Sequence, residues 1–65
     1  MIEVERMNGE RVYINPDQVK AVESMPDTVV VFMNNDRLMV KTTPQEIVKR
    51  VIEFRRQIAN QFSTT

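Results

Sequence analysis

Two proline turns ten residues apart, Asn15-Pro16-Asp17 and Met25-Pro26-Asp27-Thr28, most constrain how this chain can fold. Proline presets φ for a turn position, and a neighbouring aspartate can bond main-chain amides two residues on. The segments around the turns are short apolar runs, of a length that suits strands better than helices. The turns therefore punctuate a series of β-strands and do not build a reactive site.

Ile2 and Val4 alternate with Glu3 and Glu5, the period of a half-buried strand. Asn8-Gly9 follows at once, a hairpin dipeptide in which both residues accept positive φ. Val12 and Ile14 return on a second strand with Tyr13 on the opposite face, and Pro16, which cannot donate to a ladder, ends it. Val19, Ala21 and Val22 belong to a third, weaker strand that closes at Pro26-Asp27. Thr28 to Met33 is unbroken β-forming sequence and is expected to be the most buried strand. Asn34-Asn35-Asp36 reads as a further tight hairpin. The last strand, Arg37 to Thr42, sets Leu38 and Val40 on one face and Met39 and Lys41 on the other.

A helix then announces its own start. Thr43 is a good N-cap, Pro44 suits the first helical position, and Glu46 completes a capping box worth about 1 kcal/mol. Ile47, Val51, Phe54 and Ile58 recur at helical spacing as a core or oligomer face, and Val48 and Ile52 widen that stripe. Glu46 and Arg50 form a correctly oriented i,i+4 pair. The helix is expected over about 44–60, with Phe62 extending the stripe by a turn and the tail 61–65 frayed. The expected fold is α+β in a single domain, 1–65. About five short strands over 1–42 form a small antiparallel sheet or partial barrel, followed by one C-terminal amphipathic helix.

A chain of 65 residues buries only about 60% of its unfolded surface, so its core is marginal without a staple. It has no cysteine, which removes disulfides, iron–sulfur clusters and thiolate zinc sites, and no histidine for imidazole ligation or acid–base work. Oligomerisation is the staple that remains, and a homo-oligomer is expected. Both faces of the fourth strand and a wide helix stripe are apolar, whereas one helix can cover one sheet face. Either the sheet curls or a second subunit covers the other face. The five methionines could soften a partner-binding surface, but gap-filling in the core is their usual role and is the expectation.

Catalytic chemistry has little to work with. Ser24 and Ser63 are the only serines and no base accompanies them. Glu3 and Glu5 fit an exposed strand face better than a carboxylate pair for proton transfer. Gly9 is the only glycine, so no phosphate-cradling loop forms, and Asp17, Asp27 and Asp36 lack calcium-loop spacing. A non-enzymatic chain is expected, without catalytic residues, cofactor, metal or small-molecule substrate.

No run of eighteen apolar residues exists, so membrane insertion is not expected, and the opening residues lack a signal peptide's apolar stretch. A cytoplasmic location follows as the expectation. Residues 1–36 carry seven acids and three bases, and residues 37–65 carry six bases and two acids. Ordinary solvated faces, head-to-tail pairing of subunits, or an anionic partner for the helix are all open on that asymmetry. Arg37 with Lys41, and Lys49-Arg50 with Arg55-Arg56, form the basic groupings. Tyr13 is the only tyrosine, so an aromatic platform for nucleic acid is missing. Asn15, Pro16, Asp17, Arg37, Lys41 and Arg50 are the candidate partner-binding residues.

Met1-Ile2, Arg6, Asn8-Gly9, Asn15-Pro16-Asp17, Val22-Glu23, Pro26-Asp27-Thr28-Val29 and Val40-Lys41 stand at spacings that resemble the bacterial flagellar protein family FlbD, also called SwrD. Glu46-Ile47-Val48 and Ile52-Glu53 continue the resemblance to about Arg56. It implies a role in flagellar motility and swarming, support of power from the motor's stator units, flagellar motor or stator proteins as partners, and a location peripheral to the motor. Asn34-Asn35 stands where the family usually has Asn-Gly. A second resemblance, to the carbon storage regulator CsrA, rests on the opening strand and on Glu46-Ile47-Val48-Lys49-Arg50. It implies a dimer that binds RNA through Arg6 and Lys41, although the proline turns are foreign to that family.

Overall fold

Two hairpins of one design frame the molecule. The computed structural model describes the backbone of residues 1–63 and the side chains of residues 1–59. Strands β1 (Ile2–Glu5) and β2 (Arg11–Ile14) form the first hairpin, and β4 (Thr28–Phe32) and β5 (Arg37–Val40) the second. Between them lie a 3₁₀ turn, Pro16–Gln18, and β3 (Val19–Glu23). The chain ends in helix α1, Pro44–Ser63. The expected tail at 61–65 is helical in its backbone to Ser63, while the Phe62 side chain and residues 64 and 65 lie outside the described residues.

Each hairpin turns through three residues. In the first, the Gly9 amide donates to the Arg6 carbonyl at 2.9 Å and the Arg6 amide to the Glu10 carbonyl at 2.7 Å. In the second, Asn35 donates to Phe32 at 2.8 Å and Phe32 to Asp36 at 2.8 Å. Gly9 has φ +88° and Asn35 has φ +71°, and no other residue has positive φ among the described ones. This is a type I turn closed by a one-residue bulge, the usual three-residue hairpin. It corrects the expectation that Asn8 shares the positive φ. Asn8 instead accepts the Glu10 amide on its side chain at 2.9 Å, and Asn34 accepts the Asp36 amide at 2.9 Å in the same way.

The likeness extends along both hairpins. Residues 4–14 and 30–40 align with a shift of 26, with Val, Met, Asn and Arg identical at 4/30, 7/33, 8/34 and 11/37. Val4 and Val30 are both 0% exposed, which makes them equivalent anchors of one core.

All pairings are antiparallel, in a two-stranded sheet β1-β2 and a three-stranded sheet β3-β4-β5, with no closed barrel. One bridge, Arg6 to Val40, joins the sheets, and the Lys41 amide extends it by donating to the Glu5 carbonyl at 2.7 Å. β1 therefore lies beside β5, giving the spatial order β2-β1-β5-β4-β3. The outermost strand β3 carries a bulge between Val19 and Ala21, which displaces Lys20 and blunts that edge.

Ile2, Val4, Ile14, Val30, Val40 and Ile47 make the buried core, with Val12, Leu38, Val51 and Phe54 packed around it. Helix α1 covers this face. Val31 is only 8% exposed yet faces away from the helix, by strand alternation from Val30. On that outer face the Arg37 guanidinium reaches Glu23, spanning from β5 to β3 across β4. The stems of that pair supply cover where a helix is absent.

One expectation fails on burial. All five methionines are exposed: Met1, Met7, Met25, Met33 and Met39 range from 44% to 86%. The core is instead filled by β-branched residues, whose stiff side chains suit short paired strands. On the helix, Ile47 is buried and Val51 and Phe54 are half-buried, but Val48 and Ile52 are exposed. Ile58 is 37% exposed. A 20-residue helix is about 30 Å long, whereas a four-residue strand spans about 13 Å, so the helix outreaches the sheet below it.

Candidate functional site

The residues expected to bind a partner fall in three places. At the corner between β2 and β3, Asn15 caps the 3₁₀ turn. Its Oδ1 accepts the Asp17 amide at 3.0 Å, and its carbonyl accepts the Gln18 amide at 3.0 Å. Pro16 is buried. The side chain that bonds two residues on is thus Asn15 and not Asp17, because φ −87° and ψ 114° at Asn15 aim its amide group along the turn. The Asp17 carboxylate points to the helix, 3.6 Å from the Arg55 guanidinium, with both side chains more than half exposed.

Arg50 and Lys41 lie at the second place, the junction of β1, β5 and α1. A cleft of about 310 Å³ there is lined by Glu3, Glu5, Arg11, Lys41, Glu46 and Arg50, together with Thr42 and Thr43. Its charges are largely paired. Arg50 lies 3.3 Å from Glu46 and donates to the main-chain carbonyl of Glu3, and Arg11 stands 3.8 Å from Glu3. Tyr13 donates to Glu3 at 3.1 Å. The Thr42 hydroxyl accepts the Glu5 amide at 2.9 Å. Thr43 caps the helix, its hydroxyl accepting the Glu46 amide at 3.2 Å, but the Glu46 carboxylate pairs with Arg50, so only half of the expected capping box forms. Arg50 holds the helix against β1, and Lys41 is the cation of the cleft without an ion-pair partner among the described residues.

The third place is the outer face of the sheet. The Arg6–Val40 bridge sets Met7 opposite Met39, and the two methionines with Arg6, Asn8, Arg37 and Leu38 surround a shallow depression of about 380 Å³. Met7 is 44% and Met39 49% exposed, so two flexible thioethers stand open beside two arginines. Arg37 flanks Met39 in this depression, whereas Lys41 lines the charged cleft. Sequence reasoning missed this pair by assigning the methionines to the core. Two signals find its members: the repeat 4–14/30–40 puts Met7 and Met33 at equivalent hairpin positions outside the core, and alternation sets Met39 opposite Val40. Arg6 and Lys41, the residues of the RNA-binding alternative, lie just beyond the ends of β1 and β5, with Lys41 lining the charged cleft and Arg6 the methionine depression.

Among the described residues, no group of three or more acidic side chains is placed to hold a metal ion, and no helix is long and apolar enough to cross a membrane. Two like hairpins, one intervening strand and one helix define a small α+β protein whose open surface features are a methionine-bearing sheet face and an apolar helix flank. Over residues 1–59 the sequence matches the family model FlbD, flagellar and swarming motility proteins, and the chain belongs to that family. No curated protein and no solved structure matches the chain.

Proposed function

We propose that this chain is a non-enzymatic accessory of flagellar and swarming motility, which supports stator-driven motor power by docking onto a protein of the motor from the cytoplasmic side. Membership of the flagellar and swarming motility family supports the process. The observation that carries docking is the Met7–Met39 pair, half exposed on a sheet face beside Arg6 and Arg37. Methionine adapts its shape to a partner at low cost, and flanking cations fix orientation and favour an acidic partner surface. Asn15, Pro16 and Arg50 make their contacts within the fold, and in this reading they hold the docking surface in place.

The test is motor torque per flagellum in a deletion strain, with flagella counted on the same cells. Weak motors on a normal number of flagella are expected. Met39→Glu should reproduce the weakness while the purified variant keeps its circular dichroism, since an exposed site tolerates charge. Fewer flagella with normal torque would instead place the protein in control of gene expression and overturn the docking reading.

A further inference from the structure

We propose that the outer edge of β2 is a self-association edge, on which β2 of a second copy pairs antiparallel about a two-fold axis at Val12. Bonded and unbonded residue pairs alternate along an antiparallel ladder. The Arg6 amide bonds the Glu10 carbonyl at 2.7 Å, so Val4–Val12 and Ile2–Ile14 are the bonded pairs of this hairpin, and Glu5–Arg11 and Glu3–Tyr13 the unbonded ones. Unbonded pairs direct their N–H and C=O groups away from each other. On the β1 side, three of those groups bond Lys41, Thr42 and Arg50. On the β2 side, the main-chain amides and carbonyls of Arg11 and Tyr13 have no protein partner among the described residues. An open strand edge is a template for another strand unless it is blunted. The bulge blunts β3 and Arg50 covers β1, whereas β2 carries no proline, lysine or bulge.

Register identifies the occupant. With Val12 of each copy on the axis, Arg11 faces the partner's Tyr13 and Tyr13 the partner's Arg11. The two pairs exchange four hydrogen bonds and use every open group of both strands. An axis at Arg11 would set two arginines against each other, and one at Tyr13 would set Arg11 against the corner at Asn15, whose carbonyl already accepts Gln18. Side chains favour the same register. The Tyr13 hydroxyl donates to Glu3 at 3.1 Å, so each Arg11 meets an aromatic ring with a carboxylate behind it. Arg11 is 74% and Tyr13 66% exposed in the protomer, so neither leaves the core to make this contact. An unrelated strand fills the main-chain groups equally well, but must bring an acid-backed ring opposite Arg11 and a cation opposite Tyr13. A second copy brings both in the required order, as a two-fold interface demands. The Met7–Met39 depression lies on the β5 side of β1 and stays open.

Sedimentation equilibrium of the full chain up to about 1 mM, enough to populate a dimer whose Kd is about 100 μM, is the first test. Wild type is expected to approach twice 7.6 kDa. Amide hydrogen exchange by NMR locates the edge: at that Kd the Arg11 and Tyr13 amides should slow about fourfold between about 20 μM and about 1 mM. Tyr13→Pro removes an outward donor and leaves the β1–β2 bonds in place, so it should give a folded monomer by circular dichroism. Arg11→Glu, at an exposed site, should keep the fold and weaken association about tenfold. If Tyr13→Pro unfolds the chain, exchange and Arg11→Glu decide. A wild type that is monomeric at the highest concentration overturns the proposal, and a different protein's strand is then the one left to pair with β2. A dimer whose Arg11 and Tyr13 amides exchange equally fast at both concentrations, or one indifferent to Arg11→Glu, overturns it too, by locating the interface elsewhere. None of these results touches the motility reading, whose test is torque.

Discussion

Arg50 donates to the main-chain carbonyl of Glu3 across 47 positions of sequence, so a helix side chain closes the open edge of a strand. β1 pairs with β2 on one side, and the groups of Glu3 and Glu5 that point away from β2 need other partners. The Glu5 carbonyl takes the Lys41 amide, the Glu5 amide takes Thr42, and the Glu3 carbonyl takes Arg50. The strand edge is thus covered by the β5–α1 connection, which prevents pairing with another chain.

Arg50→Ala should therefore cost more than an ordinary surface substitution. The side chain is 34% exposed, and a hydrogen bond from a charged donor to a half-buried carbonyl contributes about 2 kcal/mol. In a domain of this size that lowers Tm by about 10 °C. Glu46→Ala, which removes only the i,i+4 pair, should cost a few tenths of a kcal/mol. Thermal melts of the two variants check the ranking, and equal losses would mean that the Glu3 contact contributes nothing.

The two hairpins predict which substitutions Gly9 accepts. A Cβ at Gly9 would find its nearest neighbour 3.9 Å away, on the flexible Glu5 carboxylate, so space is no obstacle and the cost lies in the backbone. Asn35 occupies the equivalent position with φ +71°, and asparagine tolerates that region best among non-glycine residues. Gly9→Asn should cost less than about 1 kcal/mol, and Gly9→Val clearly more, since a β-branched side chain is a genuine outlier there. Asn35→Gly should be neutral or stabilising. Urea titrations of the three variants decide it; equal penalties for Asn and Val would show that the tip is not held in this turn.

Asn15 and Asp17 stand two residues apart and should separate cleanly. Asn15→Ala removes the cap of the 3₁₀ turn and is expected to cost about 1 kcal/mol. Asp17→Ala breaks an ion pair whose two side chains are 64% and 61% exposed, which should change stability by less than about 1 kcal/mol. Motility complementation adds a second readout. A folded Asp17→Ala protein that restores normal torque confines the residue to its contact with Arg55. Lost torque in the folded variant would return Asp17 to the docking surface.

The strand order along the chain, the hairpin tips and the start of the helix were legible because each is written in local chemistry: alternation at Ile2 and Val4, the Asn-containing turns, and Thr43-Pro44. Other features depend on contacts between elements remote in sequence. Nothing local announces that Arg50 will reach Glu3, that Asp17 will face Arg55, or that β1 will lie beside β5. Glu46 was legible as a capping residue, yet Arg50 competes for the same carboxylate and wins. The methionines misled because composition gives their usual role, while their position at hairpin tips and on the outer face follows from register. Register, in turn, was latent in the repeat 4–14/30–40, whose shared Val-x-x-Met-Asn pattern separates core from tip.

The attachment of α1 should depend on its first half. Ile47 is 2% exposed within the core, whereas Ile58 is 37% exposed where the helix outruns the sheet. Ile47→Ala is expected to cost about 3 kcal/mol, the transfer term plus the cavity left behind. A chain of this length has roughly 3–10 kcal/mol of stability in all, so the substitution removes between about a third and all of it. Helical circular dichroism should fall with it, because a helix of about 20 residues is marginal in water once its docking face is lost. Ile58→Ala should cost under about 1 kcal/mol and leave the helical signal intact. Urea unfolding followed at 222 nm on both variants is the check. If Ile58→Ala proves as costly as Ile47→Ala, the helix is held along its whole length and its second half is not free of the sheet.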